Sequence, residues 1–334
     1  MKKIAIIGGG AWGTALAIAL TRSSRAHNLS LWAHSADVVE TILARRINEI
    51  YLSGYELPAS VAVTGDMAAA LADAAIILGV MPSAHAREIY RRMRPHVGPE
   101  TVFVSATKGL EPATHARISQ VIAEEMNLQD SARVAVLSGP SFAQEVAAGD
   151  PTAVVLASAD SKLASEIQEE FSGPRFRLYT NDDVIGTEIA GAVKNVIAIA
   201  SGICTGLDLG TNAAAALVTR GLAEMTRLAV ALGGRRETLA GLAGVGDLIL
   251  TATGELSRNR SVGIQLGKGR NLKDILGSTR RVAEGVGSAA ATLELARRAA
   301  VEMPITEQVH AVLTAGCVTR DAIRDLMERR LKQE

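Results

Sequence analysis

Residues 185–203 form a small, apolar run at helical spacing, and in its middle stands the pair Lys194-Asn195. An ammonium in such surroundings loses hydration, and an unpaired buried charge is costly enough that the group neutralises or finds a partner. Thr187, Ala190, Gly191, Ala198 and Ser201 lie on the lysine's own side, so its neighbours are short and another group can approach closely. Two readings follow from this window alone. The lysine snorkels to solvent from a tight helix crossing, or it transfers protons in a pocket, because burial and nearby cations move a lysine toward the working range of a general acid.

A second chemistry-bearing segment opens the chain. The apolar residues 4–7 lead into Gly8-Gly9-Gly10-Ala11-Trp12-Gly13, a G-x-G-x-x-G between a strand and a helix. Gly8 permits the tight turn and Gly10 lets a pyrophosphate approach the backbone. Gly13 lets the helix pack on the strand, with its first N–H groups facing the anion. This strand–helix context is what the pattern requires for a dinucleotide site. The end of the second strand reads Leu31-Trp32-Ala33-His34-Ser35, without the carboxylate that usually holds an NAD ribose. Asp37 comes later and reads equally as part of the next helix start. His34 and Ser35 can bond to a 2′-phosphate, while Arg45-Arg46 lie further along the helix, so NADP is favoured and NAD stays open.

Ligands in open α/β sheets bind outside the carboxyl ends of the strands. One such end, Ala106-Thr107-Lys108-Gly109-Leu110, puts Lys108 beside the cofactor crevice, with an exposed loop lysine as the plain alternative. Another, Ser138-Gly139-Pro140-Ser141-Phe142-Ala143, is a compact turn offering a hydroxyl and backbone amides. Pro82-Ser83 is a similar turn and reads as a helix start. Later, Gly241-Leu242-Ala243-Gly244-Val245-Gly246-Asp247 sets an acid in a glycine-rich break, where it either caps a helix or serves a site. Ser257-Arg258-Asn259-Arg260-Ser261 offers guanidinium forks and an amide at a helix start, suited to a phosphate, or else a solvated basic turn. Val282-Ala283-Glu284-Gly285-Val286-Gly287 reads as a loop that interrupts the helical pattern.

The elements that must position these groups alternate in the first half. Strand-type runs fall at residues 4–7, 29–33, 75–80, 101–105, 134–137, 153–157 and 176–179, with helical patterns at 12–21, 36–46, 84–93, 113–126 and 161–171. Short, fully apolar strands between helices predict a parallel sheet covered on both faces, a Rossmann-like dinucleotide-binding domain. After about Asn181 strand-type runs vanish and helical patterns take over, for example at 212–232, 288–300 and 306–315, with Pro304 where a helix would begin. The expected organisation is an α/β domain over residues 1–181 and an all-α domain over 182–334.

Whole-chain composition narrows the function classes. At 334 residues two domains are the default, and 48% hydrophobic with 21% charged residues describes a globular protein with ample core. Lys plus Arg equals Asp plus Glu at 35 each and aromatics are 3%, which argues against nucleic acid as a main partner. Cys204 and Cys317 are far apart without metal-type spacing, so no metal site is expected and a reducing, cytoplasmic compartment fits. The start of the chain reads as neither signal peptide nor anchor, and apolar stretches such as 196–207 fall below the ~18 residues a bilayer span needs, so no integral membrane protein is expected.

Together these stretches resemble the bacterial NAD(P)-dependent glycerol-3-phosphate dehydrogenase family over nearly the whole chain. The resemblance runs in order through GGGAWGTALA (8–17), SATKGLE (105–111), SGPSFAQEVAAGDPTA (138–153), GAVKNVIAIASG (191–202) and NAAAALVTRGLAEMTRL (212–228). GLAGVGDLILTATGELSRNRSVG (241–263), VAEGV (282–286) and VEMPITE (301–307) complete it. The first motif is shared by many dehydrogenases, whereas the set from SATKGLE to SRNR is specific.

The resemblance implies reversible reduction of dihydroxyacetone phosphate to sn-glycerol 3-phosphate with NADP or NAD, feeding glycerophospholipid synthesis. It assigns proton transfer to Lys194, and substrate contacts to Lys194, Lys108, Gly139, Ser141, Asp247, Ser257, Arg258 and Asn259. It assigns cofactor contacts to the glycine turn (Gly8, Gly10, Gly13) and to Ala11, Trp12, His34, Lys108, Ala143, Arg258, Val282 and Glu284. On this reading Lys108 lowers the Lys194 pKa while Asp247 and Asn195 orient the amine. Ala11 departs from the serine many members carry, which weakens one phosphate contact. A homodimer through the alanine-rich helical half is compatible with similar enzymes, though no residue requires it. A hydroxyacid or ketopantoate-type reductase would need a carboxylate pocket, which SRNR does not suit. A nucleotide sensor would not need the set Lys108, Lys194, Asp247 and Arg258.

Overall fold

A computed structural model of the chain describes residues 1–128, 132–280 and 282–330. Among them ten strands precede Asp182: β1 (Lys3–Ile7), β2 (Asn28–Trp32), β3 (Ile47–Asn48), β4 (Leu52–Glu56), β5 (Val61–Thr64), β6 (Ile76–Gly79), β7 (Val102–Ser105), β8 (Val134–Ser138), β9 (Thr152–Ala157) and β10 (Phe176–Asn181). Eight of these form one sheet in the order β10-β9-β8-β7-β6-β1-β2-β5, while β3 and β4 make a separate ribbon. Side chains alternate across the sheet, so Ile4 and Ile6 face a core shared with helices Ala11–Leu20 and Ser161–Phe171. Ala5 and Ile7 face the other core, with helices Ser83–Met93 and Ile118–Glu125. All four of these β1 residues are fully buried, the physical basis of their unbroken apolar run.

The strand order reverses between β1 and β6, which opens a crevice at the glycine turn. Six neighbouring pairs are parallel, as the strand–helix alternation predicts, but β8 and β9 run antiparallel. The link between them holds only the six-residue helix Ala143–Ala148. At ~1.5 Å per residue that helix is too short to carry the chain back along a five-residue strand and re-enter in the same direction.

Two further expectations are corrected. The helix expected from residue 113 begins at Ile118, because His115 adopts a left-handed φ of 64° and Leu110 pairs with Arg117 across a tight loop. The stretch 282–287 is not all loop, since helix Glu284–Arg298 starts inside it. Its Gly285 is required there, because a Cβ would lie 2.6 Å from the Asn195 carbonyl oxygen. The ribbon, β5 and helix Met67–Leu71 have no counterpart in the sequence reading; β4 and β5 are each buried at one position only, so no apolar run marks them.

In the second half, helix Val184–Gly206 is the central rod, buried along most of its length. Asp183 sets its start, accepting from the N–H of Gly186 (2.7 Å) and of Arg235 (2.8 Å). By length and composition this 23-residue helix could cross a bilayer, but 94% of its apolar window is covered by the protein itself. Its tightest neighbour is helix Arg258–Gly267. A Cβ on Gly263 would lie 2.0 Å from the Ile199 oxygen, and one on Gly206 would lie 2.3 Å from the Ile264 oxygen. The two backbones therefore meet through Gly202, Gly206, Gly263 and Gly267, a small-x-x-x-small crossing.

Candidate active site

The glycine turn has the geometry that a dinucleotide cradle requires. Gly8 has φ +136°, and a Cβ there would lie 2.6 Å from the Val80 oxygen, so only glycine fits. A Cβ on Gly13 would lie 1.9 Å from the Gly8 oxygen, which fixes how closely the helix packs on β1. Gly10 differs, for its missing Cβ faces open space with nothing within 4 Å. The first backbone bond of helix Ala11–Leu20 runs from Thr14 N–H to the Gly10 oxygen (3.0 Å), so the amides of Ala11, Trp12 and Gly13 point out of its start. The Trp12 indole N–H is buried without a partner beside this opening. These features fit a pyrophosphate. Asn48, which no sequence signal marked, holds the turn from behind by donating to the Gly9 oxygen (2.9 Å) and the Thr14 hydroxyl (2.8 Å). Ala143 begins helix Ala143–Ala148, which packs against helix Ala11–Leu20.

Further along the same edge, two lysines converge on one carboxylate. Lys194 is 4% exposed, and its Nζ donates to Asp247 Oδ1 and to Thr251 Oγ1 (2.8 Å). Lys108, from the loop after β7, donates to Asp247 Oδ2 (3.0 Å), to the Gly139 carbonyl (2.7 Å) and to Ser141 Oγ (3.2 Å). The glycine-rich break ends in a π-helical turn, Leu242–Gly246, that delivers Asp247 at the head of helix Asp247–Thr253. Its carboxylate thus serves the lysines and does not cap that helix. Burial pulls the Lys194 amine down to about 7 against the attraction of Asp247, and the Lys108 charge assists the fall. Burial alone would raise Asp247, but Lys108 and Lys194 outweigh it and hold the carboxyl below its ordinary range. Gly139 sits at φ +128° with a would-be Cβ 3.0 Å from Val154 Cα, so the turn presenting its carbonyl to Lys108 needs glycine. Gly191 allows the rod to approach this turn, since a Cβ there would lie 3.0 Å from Ser138 Oγ.

Asn195 does not orient the Lys194 amine. Successive helix residues diverge by about 100°, and its amide instead donates to the oxygens of Lys108 (3.2 Å) and Gly191 (3.1 Å). Its oxygen accepts from Asn259 Nδ2 (2.9 Å), and the Asn259 oxygen accepts from the Gly285 N–H (3.0 Å). Asn259 is therefore tied into a buried relay, and what it can offer an anion is its remaining amide hydrogen and its backbone N–H. Ser257 caps helix Arg258–Gly267 through Arg260 N–H (3.2 Å), leaving exposed Arg258 at the helix start. Glu284 reaches across to the sheet half, accepting from the Ser83 N–H (3.2 Å) and hydroxyl (2.7 Å). Ser83 is a helix start, as expected, and also this contact. Val282 is exposed, as is His34, whose ring lies 5.9 Å from that of Trp32. Asp37 pairs with Arg280 (2.7 Å). Arg45 pairs with Glu49, and Arg46 is spent on the carbonyls of Leu57, Pro58 and Val61, so neither stands at the strand end.

Thr251, Asn48 and Arg280 were not singled out from sequence. Thr251 was within reach, being four residues after Asp247 on one helix face. Asn48 and Arg280 come from segments without a local pattern, and only folding brings them to the crevice.

Comparison with known proteins accords with this geometry. The family model described as NAD-dependent glycerol-3-phosphate dehydrogenase N-terminus matches residues 3–164, and its C-terminus counterpart matches residues 183–324. A relative from Koribacter versatilis named glycerol-3-phosphate dehydrogenase (NAD(P)+) is 56% identical over 330 residues, spanning 98% of each chain. One of the same name from Acidobacterium capsulatum is 57% identical, again over 98% of both. The crystal structure of glycerol-3-phosphate dehydrogenase from Coxiella burnetii superposes with a TM-score of 0.93 at 43% identity, covering 98% of this chain and 99% of that one. A ketopantoate reductase from Ralstonia eutropha has a TM-score of 0.61 at 17% identity and shares the fold alone. By sequence and by structure, the chain belongs to the NAD-dependent glycerol-3-phosphate dehydrogenase family.

Proposed function

We propose that this protein catalyses the reversible, NAD(P)H-dependent reduction of dihydroxyacetone phosphate to sn-glycerol 3-phosphate, with Lys194 as its proton-transfer residue. The observation that carries the assignment is a buried amine, pulled down to about 7, on the carboxylate that also holds Lys108. A family membership established at 56% identity over nearly the full chain supports the reaction class.

The glycine turn, with Ala11, Trp12 and Ala143, would hold the dinucleotide, joined by His34 past the end of β2 and by Lys108, Arg258, Val282 and Glu284. When bound, that group supplies or accepts the hydride. An ammonium has three donors, and Asp247 and Thr251 take two on Lys194, which leaves one for the substrate oxygen. In reduction Lys194 donates that hydrogen bond and then the proton as charge develops on the carbonyl oxygen; in oxidation it is the base. Asp247 keeps the amine aimed, and burial, assisted by the Lys108 charge, keeps its proton transferable near neutral pH. Gly139, Ser141 and Lys108 line one side of the substrate space. The start of helix Arg258–Gly267, with Ser257, Arg258 and Asn259, would anchor the phosphate through guanidinium and backbone N–H groups, aligning the carbonyl with remote binding energy. On this reading residues 1–181 supply the dinucleotide cradle, residues 182–334 supply the proton-transfer lysine and the phosphate anchor, and the enzyme works in the cytoplasm, supplying glycerophospholipid synthesis.

The test is loss of NADPH absorbance on adding dihydroxyacetone phosphate. Wild-type protein is expected to turn over. Lys194→Ala should lose about 10²–10⁴-fold in kcat while NADPH binding, followed by nicotinamide fluorescence, survives. Near-normal turnover in that variant would remove Lys194 from the role.

A further inference from the structure

One ion pair at the crevice mouth has no place in the proton chemistry. Arg280 Nη1 lies 2.7 Å from Asp37 Oδ2, with the two side chains 72% and 49% exposed. Asp37 is in the first turn of helix Ala36–Arg45, two residues beyond Ser35 and three beyond His34. Arg280 comes from the helical half, between helices Leu272–Gly277 and Glu284–Arg298.

The packing locates this pair against the cradle. A Cβ on Gly9 would lie 2.5 Å from Ala33 Cβ and 3.5 Å from Val38 Cγ1, so the glycine turn abuts the segment that carries Asp37. Glu284, by contrast, sits on Ser83 beyond β6. In the sheet β1 lies between β6 and β2, so Arg280 and Glu284 bracket the glycine turn from opposite sides. The β2 side of such a turn is where the adenosine ribose of a dinucleotide lies in this fold.

We propose that Asp37 and Arg280 act together as the reader of the adenosine 2′ position and so set the balance between NADP and NAD. The inference rests on the dinucleotide reading of the cradle. A free 2′-hydroxyl is a donor and suits the Asp37 carboxylate. A 2′-phosphate carries a charge of about −1.5 to −2, which that carboxylate repels. Arg280 offsets the repulsion, and its planar fork matches a phosphate with two parallel N–H bonds. An ion pair this exposed is weakly held, so Arg280 can leave Asp37 for the phosphate. His34, exposed on the same strand end, adds a further ring nitrogen. The pair therefore admits both cofactors, with Arg280 carrying the preference for NADP and Asp37 opposing it.

The experiment titrates the full-length protein with 2′,5′-ADP and with 5′-ADP by calorimetry, in the wild type, Arg280→Ala and Asp37→Asn. Arg280→Ala should weaken 2′,5′-ADP about tenfold relative to 5′-ADP, and Asp37→Asn should move the same ratio the other way. An unchanged cooperative thermal transition reports that each variant is folded. A ratio that stays within about twofold of the wild type in both variants would overturn the proposal alone, leaving a plain surface ion pair. If the wild type bound neither nucleotide, the cradle assignment itself would fall and the proposal with it.

Discussion

Asp247 is the residue on which the chemistry turns, because it faces two ammonium groups at 1% exposure. The Lys108 charge makes that of Lys194 harder to hold, and the carboxylate is what keeps both side chains in place. With the Lys194 amine pulled down to about 7 by burial, the two directions of the proposed reaction should respond oppositely to pH. Oxidation of glycerol 3-phosphate needs the neutral amine, and its kcat/KM should climb as pH rises through about 7 and then level. Reduction needs the ammonium and should decline above the same point. Asp247 raises the Lys194 pKa, so Asp247→Asn should shift the oxidation profile to lower pH as well as slow it, measured by rate profiles in both directions. A slowed variant with an unmoved profile would mean that Asp247 acts on something other than the Lys194 amine.

At the scale of elements, the crossing of helix Val184–Gly206 with helix Arg258–Gly267 sets the distance between the lysine and the helix start proposed to anchor the phosphate. Four glycines make that distance what it is. Gly263→Ala would force its Cβ to within 2.0 Å of the Ile199 oxygen and 2.9 Å of Gly202 Cα, so backbones must part. Overpacking of this kind costs about 1–3 kcal/mol, and the expected outcome is that loss in urea unfolding together with a fall in kcat/KM. Gly287, in the exposed part of helix Glu284–Arg298, has nothing within 4 Å of its missing Cβ. Gly287→Ala should therefore stabilise by about 0.5–1 kcal/mol through helix propensity alone. Equal effects from the two substitutions would mean that close approach is not what Gly263 supplies.

The whole molecule is stitched at the crevice by polar ties between its sheet half and its helical half. These are Lys108 to Asp247, the Lys108 carbonyl to Asn195, Arg117 and Ser119 to Glu188, Ser83 to Glu284, and Asp37 to Arg280. A dinucleotide entering between them binds only the folded state, so it should stabilise the fold by about 2.7 kcal/mol at a hundred times its Kd. Gly10 has an extended backbone that any residue adopts and open space at its missing Cβ. Gly10→Val should thus fold with at most about 1 kcal/mol of penalty and yet lose the NADPH-dependent rise in Tm, followed by differential scanning fluorimetry. A full Tm rise in that variant would show that the pyrophosphate does not sit on this turn.

Much of this was legible along the chain, and for local reasons. A strand buried on both faces must be apolar throughout, so residues 4–7 and their counterparts declare themselves. A turn with Gly8 at φ +136° must be glycine. A lysine in an apolar helix must have a partner, which marks Lys194 before any partner is known. The exposed strands β4 and β5, each buried at one position only, show no such apolar run. The antiparallel turn of β9 depends on the reach of a short connection, not on the composition of the strand itself. What folding alone decided is which groups meet. Asn195 lies next to Lys194 in sequence yet serves Asn259 and the Lys108 backbone, while Asp247 and Thr251, 53 and 57 positions away, meet the amine. Residue type and spacing determine what a side chain can do and which face of its helix it occupies. Its partner is settled by how closely two backbones can cross, and in this protein glycines on separate helices set that closeness.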